Sequence, residues 1–400
     1  MESKINRPTI NIIANSIMGT MSGGDRIWIE CSKRWSLNGF KINIFGSEES
    51  SERGKKYNLI NVDYFNWPSG NFKKYGFLLN YLFRTVQGIF KLKSFTQNID
   101  SCIIYSTSDF WPDSIPAFLM KIKNRKVKWI AGFFLFAPSP LQKNSPYKGI
   151  KWIIGFLYWL SQLPIYWIVK KNADLIFITS KPDVKKFLTK SRDINKIIVV
   201  KGGVDLTDSE EYLNSNNKIP IENRKYDACF VGRFHYQKGV LELIEIWKNV
   251  IEWNKNAKLV MIGVGPLENE LKEKIKKFKL YNNIELVGFK DGKEKYEFFK
   301  QSKIIIHPAI YDSGGMAAAE AMAWGLPGVS FDLEALKTYY PKGMLKVPCY
   351  DLKKFATVVI SLLEDKKLYI KVSGEAIKLV KKWDWDKRAD VILRKIKTIL

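Results

Sequence analysis

The sequence predicts an α/β protein of two domains, and three features of the chain support this class. Its 400 residues are enough for two or three domains, each able to bury a core of its own. Short apolar runs that are typical of buried strands alternate with helical segments along the whole chain. A polar stretch of little periodicity, 206–224, separates the two halves and is predicted to be a linker.

The first half alternates between predicted strands and helices. An apolar strand is followed by a loop, a helix that ends near Gly39 and a second, alternating strand. A long amphipathic segment, 71–93, is predicted to be a core-facing helix. The predicted strands are 9–14, 41–45, 101–105, 127–136, 175–178 and 196–200, and the other predicted helices are 25–37, 113–123 and 182–188.

The second half repeats this alternation after the polar linker. Its predicted strands are 227–231, 258–262, 284–287, 304–306 and 329–331. Its predicted helices are 267–279, 316–324, 352–363, 368–382 and a last helix that runs to Leu400. Parallel strands joined by helices collect their carboxyl ends at one edge of a sheet, so the loops after the strands are the candidate ligand loops.

Charge is unevenly distributed along the chain. The net charge is +25, of which residues 1–200 carry +17 and residues 201–400 carry +8. With 14% aromatic residues, the basic first half is typical of proteins that meet anionic partners such as membrane headgroups, polyphosphate lipids or nucleic acid. The alternative is a general Lys/Ile bias of the proteome.

Cysteine usage indicates a reducing compartment. The four cysteines are far apart and form no C-x-x-C pair, which argues against a disulfide framework and a structural zinc site. The first eight residues are polar and charged, so we expect no signal peptide and a cytoplasmic protein.

The segment 303–332 contains the main candidate site. An apolar strand ends at His307-Pro308, a glycine turn follows, and an Ala/Met-rich helix begins at Met316. This order places free N–H groups of a helix N-terminus at the carboxyl edge of a sheet, where anions bind. Two acids, Asp312 and Glu320, lie eight positions apart on either side of the turn.

This acid pair, with the run Glu-Ala-Met-Ala-Trp-Gly-Leu-Pro from Glu320, resembles the signature of GT4-type retaining glycosyltransferases. The resemblance implies the GT-B fold, in which two doubly wound Rossmann-like domains face each other across a cleft. It implies an N-terminal acceptor-binding domain at 1–203, a donor-binding domain at 204–382, and a C-terminal helix, 383–400, that crosses back to the first domain. The alternative is that Asp312 caps a helix and Glu320 lies on a solvated face.

The resemblance also assigns roles. It implies that Glu320 holds the nucleotide ribose, that Asp312 meets the hydroxyls of the donor sugar, and that the turn contacts the sugar-phosphate through Gly314, Gly315, Met316 and Ala317. The chain departs from the family in having Asp rather than Glu at 312, and Gly314 where an aromatic residue is usual. It also has no histidine at 131–134, where many relatives carry one at the donor sugar.

Two cations and several glycines complete the predicted donor site. Gly232-Arg233 ends a strand and is followed by Lys238-Gly239, which is similar to the family element that grips the donor diphosphate. Fixed cations stabilise the negative charge that develops on the leaving nucleotide, and the alternative is that these are ordinary surface cations. By the same resemblance, Gly23 and Gly24 border the diphosphate and acceptor, and the nucleobase and phosphates lie near Gly263, Gly265 and Val287.

The segment 152–169 is uncharged and is bracketed by lysines. Its length makes it a marginal transmembrane candidate, but strands predicted on either side of it share one sheet, which a span would split. Pro164 predicts two short helices, and the aromatic residues suit an interfacial position. We expect contact with an anionic membrane surface; the alternative is a fully buried core helix.

The resemblance, together with these features, implies a glycosyltransferase that moves a sugar from a UDP- or GDP-linked donor to an acceptor with retention. We expect no metal and no cofactor, and we assign Arg233, Lys238 and Asp312 as catalytic. The expected acceptor is a lipid-linked or membrane-presented glycan at the inner face of the cell membrane, and no nucleic acid is expected. The alternatives are a GT-B nucleotide-sugar epimerase or phosphorylase, and a scaffold without catalysis that binds membrane or nucleic acid.

Overall fold

The computed structural model describes residues 8–16, 21–68, 74–95, 102–142, 145–147, 149 and 151–400. The chain divides into two compact units. The first unit comprises Met1–Gly202 and Trp385–Leu400, and the second comprises Gly203–Asp384. Each unit is built on one parallel sheet, which confirms the predicted α/β class.

The first unit contains a seven-stranded parallel sheet in the order β3-β2-β1-β4-β5-β6-β7. The strands are rich in Ile and Phe, and all except the edge strand β3 are mostly buried on both faces, as is typical of parallel sheets covered by helices. The strands are β1 Thr9–Ile13, β2 Lys41–Gly46, β3 Val62–Asn66, β4 Ile103–Ser106, β5 Lys128–Gly132, β6 Leu175–Ile178 and β7 Ile197–Val199. The helices are α1 Gly23–Leu37, α2 Glu48–Lys56, α3 Phe77–Phe95, α4 Trp111–Lys123, α5 Lys151–Asn172, α6 Val184–Phe187 and, at the C-terminal end, α15 Trp385–Lys397.

The second unit contains a six-stranded parallel sheet in the order β10-β9-β8-β11-β12-β13. Its strands are β8 Tyr226–Val231, β9 Leu259–Ile262, β10 Ile284–Leu286, β11 Ser302–His307, β12 Gly328–Phe331 and β13 Met344–Val347. Its helices are α7 Thr207–Asn214, α8 Val240–Trp253, α9 Glu268–Lys277, α10 Gly292–Lys300, α11 Met316–Ala323, α12 Glu334–Tyr339, α13 Leu352–Glu364 and α14 Lys366–Val380. Short 3₁₀ turns occupy Lys181–Asp183, Ile194–Lys196, Ile221–Asn223, Tyr236–Lys238 and Lys381–Trp383.

In both sheets the second and third strands are added on one side of the first strand, and all later strands are added on its other side. The turning points lie between β1 and β4 in the first unit and between β8 and β11 in the second. The loops after these two strand pairs diverge, which leaves a crevice at the carboxyl edge of each sheet.

Helix α15 packs within the first unit although it is last in sequence. Trp35 on α1 donates its indole N–H to the carbonyl of Ala389 at 3.3 Å. Arg34 on α1 pairs with Asp386 at 2.5 Å. The buried apolar residues of α15 are Trp385, Ala389, Ile392, Leu393 and Ile396.

The structure corrects several predictions about helices. The segment around Pro164 is one helix, α5, rather than two. In the segment predicted to be a core-facing helix, 71–93, the observed helix α3 begins at Phe77, and residues 71–73 lie outside the described part of the chain. Five of its apolar residues are at least half exposed and do not face the core: Phe77, Leu78, Leu79, Val86 and Phe90. The predicted linker contains α7, which Tyr212 anchors in the core of the second unit.

Other differences concern elements that the sequence pattern did not separate. The strand predicted over 127–136 is only Lys128–Gly132, because the following residues leave the sheet after Gly132. Helices α2, α8, α10 and α12 and strands β3 and β13 were not predicted; all of them except α8 are short.

Candidate active site

The loops after β8 and β11 meet at the carboxyl edge of the second sheet. Ile310 donates its backbone N–H to the carbonyl oxygen of Gln237 at 3.0 Å. A Cβ atom on Gly239 would lie only 1.9 Å from the carbonyl oxygen of Pro308, and the φ of Gly239 is +63°. This position therefore requires glycine, and the close approach brings Lys238 beside the turn that follows β11.

Lys238 and Asp312 form an ion pair across these two loops. The Lys238 ammonium lies 2.5 Å from Oδ2 of Asp312, and Nε2 of His307 lies 3.2 Å from the same oxygen. Oδ1 accepts the backbone N–H groups of Ser313 at 2.8 Å and of Gly314 at 3.4 Å. The carboxylate therefore links the lysine, the histidine and the glycine turn before α11.

Electrostatics fix the protonation of this cluster. Burial alone would raise the pKa of Asp312, but the Lys238 ammonium and the His307 hydrogen bond outweigh it and hold the pKa well below its ordinary value. Burial lowers the pKa of His307 and, together with Lys238 and Lys346, outweighs the Asp312 carboxylate, which acts in the opposite direction. Asp312 is therefore ionised and His307 neutral, so Nε2–H donates to the carboxylate.

The glycine turn delivers the start of α11 to the same place. Gly315 precedes Met316 with a φ of +102°, and a Cβ there would lie 2.6 Å from Nε2 of His307. Tyr340 donates its hydroxyl to the carbonyl of Gly315, and the ring of Tyr339 packs against Gly314. No side chain caps α11, so its first N–H groups are available to an anion beside Met316 and Ala317.

Arg233 and the predicted glycines lie on the neighbouring loops of the same edge. Gly232 donates its N–H to Ile262 at 3.0 Å, directly before Gly263, and a Cβ on Gly265 would contact the backbone of Phe234. Val287 follows β10 and packs on the core. Arg233 is exposed, and its carbonyl oxygen accepts the backbone N–H of His235 at 2.8 Å.

Glu320 lies on α11 and is held by a lysine that the sequence analysis missed. Nζ of Lys295, on α10, donates to Oε2 of Glu320 at 2.7 Å and to Oδ1 of Asp291 at 2.8 Å. The two carboxylates outweigh the effect of burial and raise the pKa of Lys295, which stays charged. The available signal was Asp291-Gly292, a helix-start pattern ahead of the apolar residues Tyr296 and Phe299.

Gly23 and Gly24 belong to the first unit, where they open α1 at the carboxyl edge of its sheet. Ser22 accepts the N–H of Asp25, whose carboxylate accepts the N–H of Ser22 in return, a capping box that fixes the helix start. The ring of Phe134, in the stretch where many relatives carry a histidine, would lie 3.1 Å from a Cβ on Gly24.

No three His, Cys, Asp or Glu side chains cluster as a metal site in the part of the chain that the structure describes. The sequence has one Asp-x-Asp spacing, at Asp384 and Asp386. Asp386 is occupied by its ion pair with Arg34.

Comparisons with known proteins agree with this geometry. A family model described as glycosyl transferases group 1 matches residues 208–379, which include every site residue of the second unit. The amylovoran biosynthesis glycosyltransferase AmsD of Erwinia amylovora is 31% identical over 160 residues, covering 40% of this chain and 44% of that protein. The chain spans less than half the length of the first curated relatives that it matches.

Solved structures share the fold over nearly the whole chain. Anabaena HepE in complex with UDP and glucose has a TM-score of 0.71 at 12% identity, over 97% of this chain and 99% of that one. A variant of S. aureus TarM in complex with fondaparinux, alpha-GlcNAc-glycerol and UDP has a TM-score of 0.74 at 12% identity, over 98% and 99%. The chain therefore has the GT-B fold, and its residues 208–379 match the glycosyl transferases group 1 family.

Proposed function

We propose that this protein transfers a sugar from a nucleoside diphosphate sugar, UDP- or GDP-linked, to an acceptor. The observation that carries the proposal is the Lys238 ammonium held beside the N-terminus of α11 by the ion pair with Asp312. A cation and free helix N–H groups at a sheet edge suit a diphosphate. The family match and the UDP in the two solved structures support this choice of donor.

The chemistry follows from charge. Breaking the bond between sugar and phosphate leaves negative charge on the nucleoside diphosphate, which Lys238, the exposed Arg233 and the start of α11 stabilise. Because Asp312 is ionised, it accepts hydrogen bonds from sugar hydroxyls and has no proton to donate. A phosphate oxygen of the leaving group then takes the proton of the acceptor, which gives retention and needs no metal in this proposal.

The experiment incubates the protein with UDP- and GDP-sugars and follows nucleotide release and glycan products. We expect Arg233→Ala and Lys238→Ala to lower kcat at least a hundredfold with nearly unchanged melting temperatures. Lys255→Ala is the matched control, because Lys255 is exposed and precedes β9, at the amino edge of the same sheet. Full activity in either site variant would contradict the phosphate assignment, and donor conversion without transfer would favour an epimerase or a phosphorylase.

We also propose that the first unit rests on an anionic membrane surface, where a lipid-linked or membrane-presented glycan would be the acceptor. The apolar face of α5 is turned outward: Ile153, Ile154 and Leu157 are 57%, 63% and 59% exposed. No acidic residue occurs between Asp113 and Asp174, whereas nine lysines and one arginine occur there. An apolar face within a basic, acid-free segment suits anionic headgroups.

Helix α3 extends this face. Phe77 stacks on Tyr81 at 5.8 Å between ring centroids, Tyr81 contacts Phe110 at 6.3 Å, and Phe110 contacts Tyr158 of α5 at 6.1 Å. The exposed apolar residues of α3 and α5 are thus joined by a row of aromatic rings, and together they form a surface larger than one helix provides.

Helix α5 is long and apolar enough to span a bilayer, and 22% of its apolar window is buried within the fold. Gln162 ties the helix to the unit: its amide donates to Asp109 Oδ2 and to the carbonyl of Leu135, each at 2.8 Å, and accepts from Ala137 N at 2.9 Å. These bonds favour a helix that lies in the membrane surface over one that crosses it, and the proposed position of the protein is the inner face of the cell membrane.

Vesicle flotation tests this placement. The protein should bind vesicles that contain phosphatidylglycerol, less so at high salt and not to neutral vesicles. Ile154→Asp with Leu157→Asp should abolish binding, whereas Ile370→Asp, at an exposed apolar site of the second unit, should not. Equal binding by all three proteins would contradict the membrane face.

A further inference from the structure

Lys295 is a buried cation between two carboxylates. The residue is 6% exposed, and its ammonium lies 2.7 Å from Glu320 Oε2 and 2.8 Å from Asp291 Oδ1. Asp291 lies in the same helix region, four positions before Lys295, whereas Glu320 is on α11 beyond β11. The lysine therefore joins α10 to the helix whose N-terminus forms the candidate phosphate site.

The stability of the fold does not explain why a charged lysine is buried at this position. Removing an ammonium from water costs several kcal/mol, and a well-packed apolar side chain often stabilises a core as much as a buried ion pair does. Adjacent positions on α10 and α11 are apolar and buried, among them Phe299, Ala319 and Ala323. An apolar residue at 295 would suit this surrounding, so the charge needs another explanation.

The hydrogen bonds of Lys295 provide another explanation for the buried charge. Lys295 donates to Oε2 of Glu320, so the lysine leaves Oε1 to other donors. The Glu320 side chain is 19% exposed, which allows a ligand to reach it. The second bond, to Asp291, fixes the position of the ammonium itself.

We propose that Lys295 is a positioning residue of the donor site: it holds Glu320 so that the free carboxylate oxygen accepts a hydrogen bond from the ribose of the nucleotide. This inference rests on the proposed glycosyltransferase function. A carboxylate fixed before binding loses less side-chain entropy when the nucleotide arrives, so the lysine contributes to affinity without touching the ligand.

The test compares ribose recognition in matched proteins. Calorimetry measures the affinity of wild type, Lys295→Met and Lys293→Met for UDP and GDP and for their 2′,3′-dideoxy analogues. Wild type should prefer the ribose form roughly tenfold or more, as expected for a hydrogen bond to a charged group. Lys295→Met should lose most of this preference and bind ribose and dideoxyribose forms alike. Lys293 is exposed on the same helix, and its replacement should change nothing.

Two further variants separate positioning from folding. Asp291→Asn leaves the pair between Lys295 and Glu320 intact and should keep the ribose preference. Lys295→Gln, which retains a donor without the charge, should keep part of it and provides the readout if Lys295→Met does not fold. A role that is only structural would weaken both forms of the nucleotide equally in the Lys295 variants, which would overturn the proposal.

The outcomes also separate this inference from the proposed function. If wild type binds neither UDP nor GDP, the donor assignment itself is wrong. If wild type binds the ribose and dideoxyribose forms equally, Glu320 does not read the ribose and the role of Lys295 is refuted, while the donor assignment stands.

Discussion

At the scale of single residues, Gly315 places a strong local constraint on the site. It combines a φ of +102° with a Cβ position only 2.6 Å from the ring of His307. Gly288 offers a matched comparison, because its φ of +72° is also positive but no atom lies within 4 Å of its Cβ position. The two positions separate the cost of backbone conformation from the cost of a clash.

We therefore predict that Gly315→Ala lowers the free energy of unfolding more than Gly288→Ala does. A positive φ costs a non-glycine residue about 1–2 kcal/mol, and displacing a buried ring adds roughly 1–3 kcal/mol. Urea unfolding of both variants measures the difference. Equal losses would show that the His307 ring moves freely and does not support Asp312.

Residue types and spacing, together with the family resemblance, predicted several residues of the candidate site. The acid pair at 312 and 320 and the cations at 233 and 238 were named from the sequence, and the structure places Lys238 on Asp312. Lys295 was missed because its role depends on a contact between two helices 25 positions apart. No local pattern encodes such a contact, since a lysine on a short charged helix is typical of a solvated face.

At the scale of elements, helix α5 differs from the two short helices that the sequence predicted. Pro164 predicted a break, yet the helix continues. The bond that proline removes belongs to the carbonyl of Leu160, a 47% exposed residue at which water can replace the lost donor. Similarly, the apolar stripe of α3 predicted a face buried in the core. An amphipathic pattern shows that one face of a helix is apolar, but it does not show what that face contacts.

The tether of α5 predicts a pH dependence of stability. Burial raises the pKa of Asp109, which accepts a bond from Gln162, to about 6. Because this pKa lies above the unfolded value of about 3.9, folding binds a proton between pH 4 and 6, and the free energy of unfolding falls as pH rises through that window. The loss is on the order of 3 kcal/mol at most.

Urea unfolding at pH 4.5 and pH 7.5 tests this expectation. Asp109→Asn removes this carboxyl group, so the free energy of unfolding of the variant should depend less on pH than that of wild type. Relative to wild type, the variant should be more stable at pH 7.5 than at pH 4.5. An identical pH dependence of the two proteins would show that Asp109 is not the group responsible.

At the scale of the whole molecule, the α/β class followed from the alternation of apolar runs with helices, whereas the order of strands in each sheet was not predicted. The sequence could not show that α15 completes the core of the first unit by contacts with α1, since this depends on residues more than 350 positions apart. The resemblance supplied that expectation. The segment order alone did not.

We predict that deleting residues 385–400 unfolds the first unit selectively. Fully burying an Ile or Leu side chain is worth about 1.5–3 kcal/mol, and α15 buries three of these together with Trp385 and Ala389. The sum approaches the 5–15 kcal/mol that typically stabilises a domain. Hydrogen exchange should show lost protection in β1–β7 and retained protection in β8–β13. Unchanged protection in the first sheet would contradict the prediction.

The claim on which the account depends is that Lys238, placed beside the start of α11 by Asp312, holds the donor diphosphate. Calorimetry with a nucleoside diphosphate, the monophosphate and the nucleoside tests it most directly. We predict that affinity in wild type increases strongly with each phosphate, and that Lys238→Ala loses this phosphate-dependent part while Lys255→Ala retains it. Identical phosphate dependence in wild type and Lys238→Ala would contradict the account.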